Sequence, residues 1–457
     1  MVLEQIYLGC LAQASYLVGD GGVAAVVDPR RDVDPYLEAA ARHGLEIRYV
    51  VETHVHADFV SGHRELAART GATIVFGHRA GVAFPHMAAR HGDEIALGGV
   101  RLRVLETPGH TPESISLLVV EGGRPVAVLT GDTLFIGDVG RPDLVAARGV
   151  SAETLAGQLY DSLHGTLLAL PDDVVVYPAH GAGSLCGRNL SSDTRSTIGR
   201  ERRFNYALAP MSREVFVRMM TTDLPELPGY FGRDAEINRS GPPLLTGLPP
   251  PAPLSPEAAA RELAAGAVVL DTRDPARFGA GHLPGSVNIG LGGQFAAWAG
   301  AVIGLDTPVV LVAEDPQRAE EARIRLARVG IERVVGVLEE GLAAWAAAGR
   351  PVATLAQMPA DELARRLEDP ARAPLVLDVR RPPEWSGGHL ESARHLPLGE
   401  LPARLASGEG LPPRDAPLAV VCQSGYRSSV AASLLARAGF REVFNVVGGM
   451  NAWEARR

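Results

Sequence analysis

Tyr49-Val-Val-Glu-Thr53-His54-Val-His56-Ala-Asp58-Phe59 carries an apolar run directly into two histidines and a carboxylate. The run Ile47 to Glu52 reads as a strand, so Thr53 to Asp58 falls on the loop at its end. Three more strands are read with the same ending. Leu102 to Leu105 leads to Gly109-His110-Thr-Pro112, Val126 to Thr130 to Gly131-Asp132-Thr133, and Val174 to Tyr177 to Pro178-Ala-His180-Gly. A lone histidine is ordinarily a satisfied structural residue. Four strand-end elements in one block are a different matter, because loops on a rigid α/β scaffold are where function sits. If these ends share one sheet edge, at least three imidazoles and two carboxylates converge, a donor set for a divalent metal.

Working outward, Val23 to Val27, Thr73 to Phe76 and Ser116 to Val120 also read as strands, and Asp34 to His43, Gly62 to Thr70 and Ala152 to Leu168 as helices. The chain has 457 residues, 46% of them hydrophobic and 21% charged, the composition of ordinary globular domains. Its net charge of −9 excludes the basic surface that nucleic acid demands. The least polar run, Phe295 to Leu305, falls short of the ~20 residues of a membrane span. All 44 basic residues are arginine, which excludes lysine Schiff-base chemistry and a P-loop lysine. Met1 to Ser15 lacks the basic and apolar regions of a secretory signal. Three widely spaced cysteines, Cys10, Cys186 and Cys422, make no disulfide framework, and a cytoplasmic location is expected.

Clustered prolines between Ser240 and Leu254 mark a seam. Beyond it the sequence repeats. Val268-Val-Leu-Asp-Thr-Arg273 returns as Leu375-Val-Leu-Asp-Val-Arg380, and Gly281-His-Leu as Gly388-His-Leu390. A unit of about 108 residues thus occurs twice, which is domain duplication and not a solenoid of ~20–50-residue repeats. Short apolar runs, Pro308 to Ala313 and Leu418 to Cys422, precede helical patterns at Arg318 to Val329 and Ser428 to Ala438, so each unit reads as a largely parallel sheet.

The second copy places Cys422-Gln423-Ser424-Gly425-Tyr426-Arg427-Ser428 between a strand and a helix. Inward-pointing amides, the positive helix end and Arg427 would all favour a sulfur anion there, and Gly425 lets the backbone curl around it. In the first copy Ala313-Glu-Asp-Pro-Gln replaces that loop: no nucleophile, and two acids where an anion would sit.

The first block resembles the metallo-β-lactamase superfamily in its Thr-His-x-His-x-Asp motif followed in order by His110, Asp132 and His180. Glyoxalase II hydrolases continue that motif with a histidine serving a second metal, whereas here the position is Phe59. Persulfide dioxygenases of the superfamily hold one Fe(2+) by two histidines and a carboxylate, leaving open positions. Leu8-Gly-Cys10, Gly140-Arg141-Pro-Asp143 and Ala182-Gly-Ser-Leu-Cys186-Gly are similar to that branch. The resemblance implies one iron per chain on His54, His110 and Asp132. It makes His56, Asp58 and His180 groups that orient the ligands or water, and places Arg141 and Cys186 near the substrate, although a structural ion pair for Arg141 and a structural role for Cys186 remain open.

The repeats resemble rhodanese domains, with Cys422 as sulfur carrier assisted by Arg427 and cradled by Gln423, Ser424, Gly425 and Tyr426. The copy with Ala313 is expected to be silent. The implied fold is α/β: a metallo-β-lactamase αββα sandwich over residues 1–240, a proline-rich linker at 241–254, a rhodanese-like domain without cysteine at 255–353 and a sulfurtransferase domain at 354–457. The implied partners are low-molecular-weight thiol persulfides, O2 and sulfite, with thiosulfate as final product, no nucleic acid, no membrane, and assembly as a homo-oligomer. A zinc-dependent hydrolase of glyoxalase II type, or a persulfide hydrolase, is the alternative.

Overall fold

The computed structural model describes residues 1–144, 149–188, 190–222, 224 and 227–456. The chain forms two compact units, one on Met1–Pro249 with Ala327–Gly330, the other on Pro250–Leu326 with Ile331–Arg457.

The first unit holds two six-stranded sheets. In spatial order one runs Val2–Leu8, Gln13–Asp20, Val23–Val27, Glu46–Val51, Thr73–Gly77 and Met87–Ala89, and the other Ser196–Thr197, Val175–Pro178, Arg124–Gly131, Ile115–Glu121, Val100–Glu106 and Glu94–Leu97. Successive strand residues point to opposite faces, and the core follows that alternation. Tyr16 and Val18 of the first sheet pack with Leu102 and Leu117 of the second in the layer between them. Leu17, Val26 and Val50 face outward instead, against Tyr36 and Leu66 of the helices Asp34–Arg42 and His63–Thr70. Across the molecule Leu118 and Val128 meet Leu159 and Phe216 of the helices Ala152–Asp161 and Arg213–Thr221. The result is the expected helix–sheet–sheet–helix sandwich.

The reading of Ala152 to Leu168 as one helix needs correction. After Asp161 the backbone passes into a π turn, Ser162–Thr166, and a 3-10 turn, Leu167–Ala169. Leu155, Leu159, Leu163 and Leu167 are all fully buried. A four-residue spacing drifts about 40° per step on a 3.6-residue helix, and the wider turn returns the later leucines to the core.

The second unit contains two five-stranded sheets with every recorded strand pair parallel. The first runs Pro253–Leu254, Val334–Leu338, Val309–Val312, Val268–Asp271, Val287–Asn288; the second runs Ala356–Pro359, Val443–Val447, Leu418–Val421, Leu375–Asp378, Ala393–His395. The matching strand order is the structural counterpart of the sequence repeat. The proline-rich stretch is anchored at both ends. Arg64 Nη1 donates to the Gly241 and Pro242 carbonyls, and Pro253–Leu254 pairs with Val337 and Leu338. Among the described residues no helix is long and apolar enough to cross a membrane.

Candidate metal centre and sulfur site

The four strand ends do not share one sheet edge: His54 follows Glu46–Val51 of the first sheet, whereas His110, Asp132 and His180 follow strands of the second, and the donors converge because the loops of the two sheets meet. Gly131 sits at φ +53°, and a Cβ there would lie 2.5 Å from Thr53 Oγ1, so a residue without a side chain lets the two sheets' loops close on each other. His54, His110 and Asp132 meet there, all buried, with one ligating atom of each within 4.8 Å of the others. Asp132 Oδ2 lies 3.8 Å from His54 Nε2 and 3.4 Å from His110 Nε2. These three atoms have no hydrogen-bond partner.

Their other atoms are all engaged. The Thr53 hydroxyl donates to Asp28 Oδ2 at 2.8 Å, which leaves Thr53 Oγ1 to accept from His54 Nδ1 at 3.0 Å. His110 Nδ1 donates to the Arg141 carbonyl at 2.9 Å, and His180 Nδ1 donates to Asp132 Oδ1 at 2.8 Å. The His54 and His110 rings therefore keep their Nε2 lone pairs aimed inward, the arrangement that second contacts impose on metal-binding histidines. Burial, with His56 close by, lowers the His54 pKa well below its usual value, and burial lowers that of His110. Burial would raise the Asp132 carboxyl, but the neighbouring histidines, His180 foremost, hold it far below the usual range.

A second group, Asp58, His180 and Cys186, lies beside the first, and a third, Asp28, Glu52 and His56, lies beneath it; both are buried. His180 Nε2 is 2.8 Å from Asp58 Oδ2, so its ring spans two carboxylates. Burial opposes its charge, but Asp132 and Asp58 outweigh burial and push its pKa up to about 10. Burial and the same two carboxylates push the Cys186 thiol well up. The sequence put Asp58 and His180 together without foreseeing that Cys186 would complete a triad with them. His56 does not hydrogen-bond the first group. Its Nε2 lies 3.1 Å from both Asp28 Oδ1 and Glu52 Oε2, and its ring lies against His54, centroids 4.1 Å apart. Asp28 and Glu52 went unread in the sequence; the available signal was an acid at the end of each of two neighbouring buried strands. Arg141 forks its guanidinium onto Asp143 at 2.7 and 2.8 Å and touches the centre through its carbonyl.

In the second unit, Leu418–Val421 delivers Cys422 to the start of helix Tyr426–Arg437. The buried Cys422 Sγ accepts from the Gly425 amide at 3.1 Å and lies 3.4 Å from Ser428 Oγ. Gly425 has φ +92°, as the curled loop requires. Gln423 is held between Arg380 and Asn451, Ser424 is exposed, and the Tyr426 hydroxyl donates to the Gly290 carbonyl of the first repeat at 2.8 Å. The Arg427 guanidinium is forked onto Glu384, at 2.7 and 2.5 Å. Glu384 is a residue the sequence reading did not single out.

Residues 8–180 match the family model described as metallo-beta-lactamase superfamily, and residues 255–348 and 359–456 each match the rhodanese-like domain. A metallo-beta-lactamase from Staphylococcus aureus subsp. aureus COL superposes with a TM-score of 0.66 at 32% identity, over 74% of this chain and 98% of that one. The chain belongs to the metallo-β-lactamase superfamily, with two rhodanese-like domains behind that fold. Within the superfamily it is 31% identical over 228 residues to the mitochondrial persulfide dioxygenase ETHE1 of Homo sapiens, covering 48% of this chain and 80% of that protein. It is also 31% identical over 227 residues to a hydroxyacylglutathione hydrolase of Rhodopseudomonas palustris (strain BisB18), covering 49% of this chain and 80% of that protein. Likeness alone does not divide these branches of the superfamily. The division rests on the residues around Asp58.

Proposed function

We propose that the first unit is a persulfide dioxygenase working with one ferrous ion on His54, His110 and Asp132, and that Cys422 is a sulfurtransferase nucleophile using its product. The observation that carries the first part is the trio of buried, unpartnered atoms His54 Nε2, His110 Nε2 and Asp132 Oδ2. Two imidazoles and one carboxylate suit Fe(II) and leave one side of the ion to substrate. When bound, the ion supplies the one-electron chemistry by which O2 reacts with a persulfide sulfur. Overall, persulfide, O2 and water give thiol, sulfite and two protons.

The chain's own residues hold and orient. Asp28, through Thr53, fixes the His54 ring; the Arg141 carbonyl fixes His110; His180 fixes Asp132. Phe59 favours a single ion: it is fully buried against the His56 ring and offers no donor where a second metal would need one. His180 commits its Nδ1 to Asp132, and its Nε2 lies 2.8 Å from Asp58 Oδ2.

At the second site Cys422 attacks the outer sulfur of a persulfide, whose S–S bond breaks to release thiol. Sulfite then attacks that sulfur and Cys422 leaves as thiolate, giving thiosulfate with no outside oxidant. Carrying both steps on one chain keeps sulfite near Cys422.

The hydrolase reading has one observation in its favour, the Asp58–His180–Cys186 group, which offers three ligands for a second cation. Two variants of the full chain separate the readings. His110→Ala abolishes O2 uptake with glutathione persulfide, and Cys422→Ser leaves O2 uptake intact while sulfite accumulates and thiosulfate formation falls by about 10³-fold or more. Two bound zinc ions, no O2 uptake and thiol release by wild-type protein would establish hydrolysis instead.

A further inference from the structure

Three arginines crowd the mouth of the Cys422 loop, and their partners differ. Arg380 is buried and forked onto Asp378, with its remaining contacts to the Gly388 carbonyl and Gln423. Arg381 is committed through its backbone, its amide donating to Glu384 Oε2 at 3.1 Å. Arg427 presents both terminal nitrogens to Glu384. The side chains of Arg427 and Glu384 are 15% and 31% exposed, whereas Cys422 is fully buried. The ion pair is therefore more open to solvent than the sulfur, and its forked geometry makes it a contact that an arriving anion has to compete for.

Glu384 belongs to the short helix Pro382–Ser386. In the first repeat the matching residue is Arg277, and it pairs with Glu314 at 2.8 Å. The acid stands at this place only in the copy that carries a cysteine. A carboxylate and a sulfo group present the same pair of oxygens to a guanidinium fork.

We propose that Glu384 is a specificity-determining residue for sulfur transfer: its carboxylate occupies the Arg427 fork that the sulfo group of sulfite or thiosulfate takes during turnover. The anion must displace Glu384, so the loop selects ligands that bind a guanidinium better than a tethered carboxylate does. The inference rests on the sulfurtransferase reading of Cys422.

Glu384→Gln in the full chain tests it, because Gln retains the capping contact and loses the charge. In thiosulfate-to-cyanide transfer the KM for thiosulfate falls about threefold to tenfold while kcat changes less than about twofold. Inactivation by iodoacetate, which carries a carboxylate for the fork, accelerates by the same factor relative to uncharged iodoacetamide. Glu384→Asp, which draws the charge back by one methylene, shifts both in the same direction by less. An unchanged or raised KM with an unchanged reagent ratio overturns the proposal and makes Glu384 a buttress. Absence of transfer by wild-type protein, with the reagent ratio still responding to Glu384→Gln, defeats the sulfurtransferase reading and leaves the anion seat standing.

Discussion

The two rhodanese-like repeats share a strand order and differ in how the start of one helix is satisfied. In the second repeat the Gly425 amide reaches the Cys422 sulfur. In the first, the helix Pro316–Ala327 begins with Asp315, whose carboxylate accepts from the Arg318 amide at 2.8 Å. One copy caps its helix with its own carboxylate; the other turns the Gly425 amide to the Cys422 sulfur. The ion pair at the mouth is reversed as well, Arg277 with Glu314 against Glu384 with Arg427. Absence of the cysteine is thus only one of several differences between the two loops. What the first copy retains is a surface for the second. Asn288 Oδ1 accepts from the Ser429 hydroxyl at 2.6 Å and the Asn288 backbone N–H donates to Ser433 Oγ at 3.0 Å, both on the helix that follows Cys422.

Four substitutions break or sharpen this contrast, in falling order of effect on transfer. Gly425→Ala places a Cβ 3.0 Å from the Gly448 amide nitrogen at a φ of +92°. Sulfurtransfer then drops by about tenfold or more, with a stability loss of about 1–2 kcal/mol. Asn288→Ala removes the acceptor of the buried Ser429 hydroxyl and the donor to the Asp271 and Arg273 carbonyls, and lowers stability by about 1–3 kcal/mol in denaturant unfolding, with a smaller loss of transfer. Ser429→Ala, which removes only the Ser429 contact between the copies, lowers stability by less, and full stability in both variants would remove the supporting role of the first copy. Ala313→Cys, made in a Cys422→Ser background, restores no transfer, because Asp315 already fills the helix end; measurable turnover would show that the missing sulfur alone silences the repeat.

Much of this was legible before the structure. His54, His110, Asp132 and His180 each follow an apolar run, so strand ends and donors could be read together. Cys422 was legible for the same reason. The strand Gln13–Asp20 was not, because buried polar residues interrupt it. Gln13 lies fully buried, donating to the Asp28 carbonyl and to Ser15, a use of a polar side chain that no period of apolar residues reveals. The edge strand Val2–Leu8 is half-exposed and carries Glu4, which hides its alternation. Asp28 and Glu52 support His56 from separate strands, and Cys186 joins Asp58 across a long stretch of chain. Such partnerships form only when the sheets close. Arg427 could be placed beside the sulfur loop from spacing, but its commitment to Glu384 could not.

The most direct test follows O2, sulfite and thiosulfate together in wild-type, iron-loaded protein given excess glutathione persulfide. One O2 consumed for each thiosulfate formed, with two persulfides lost and one iron bound per chain, is the predicted result. Thiol release without O2 consumption, from protein holding two metal ions, would contradict it.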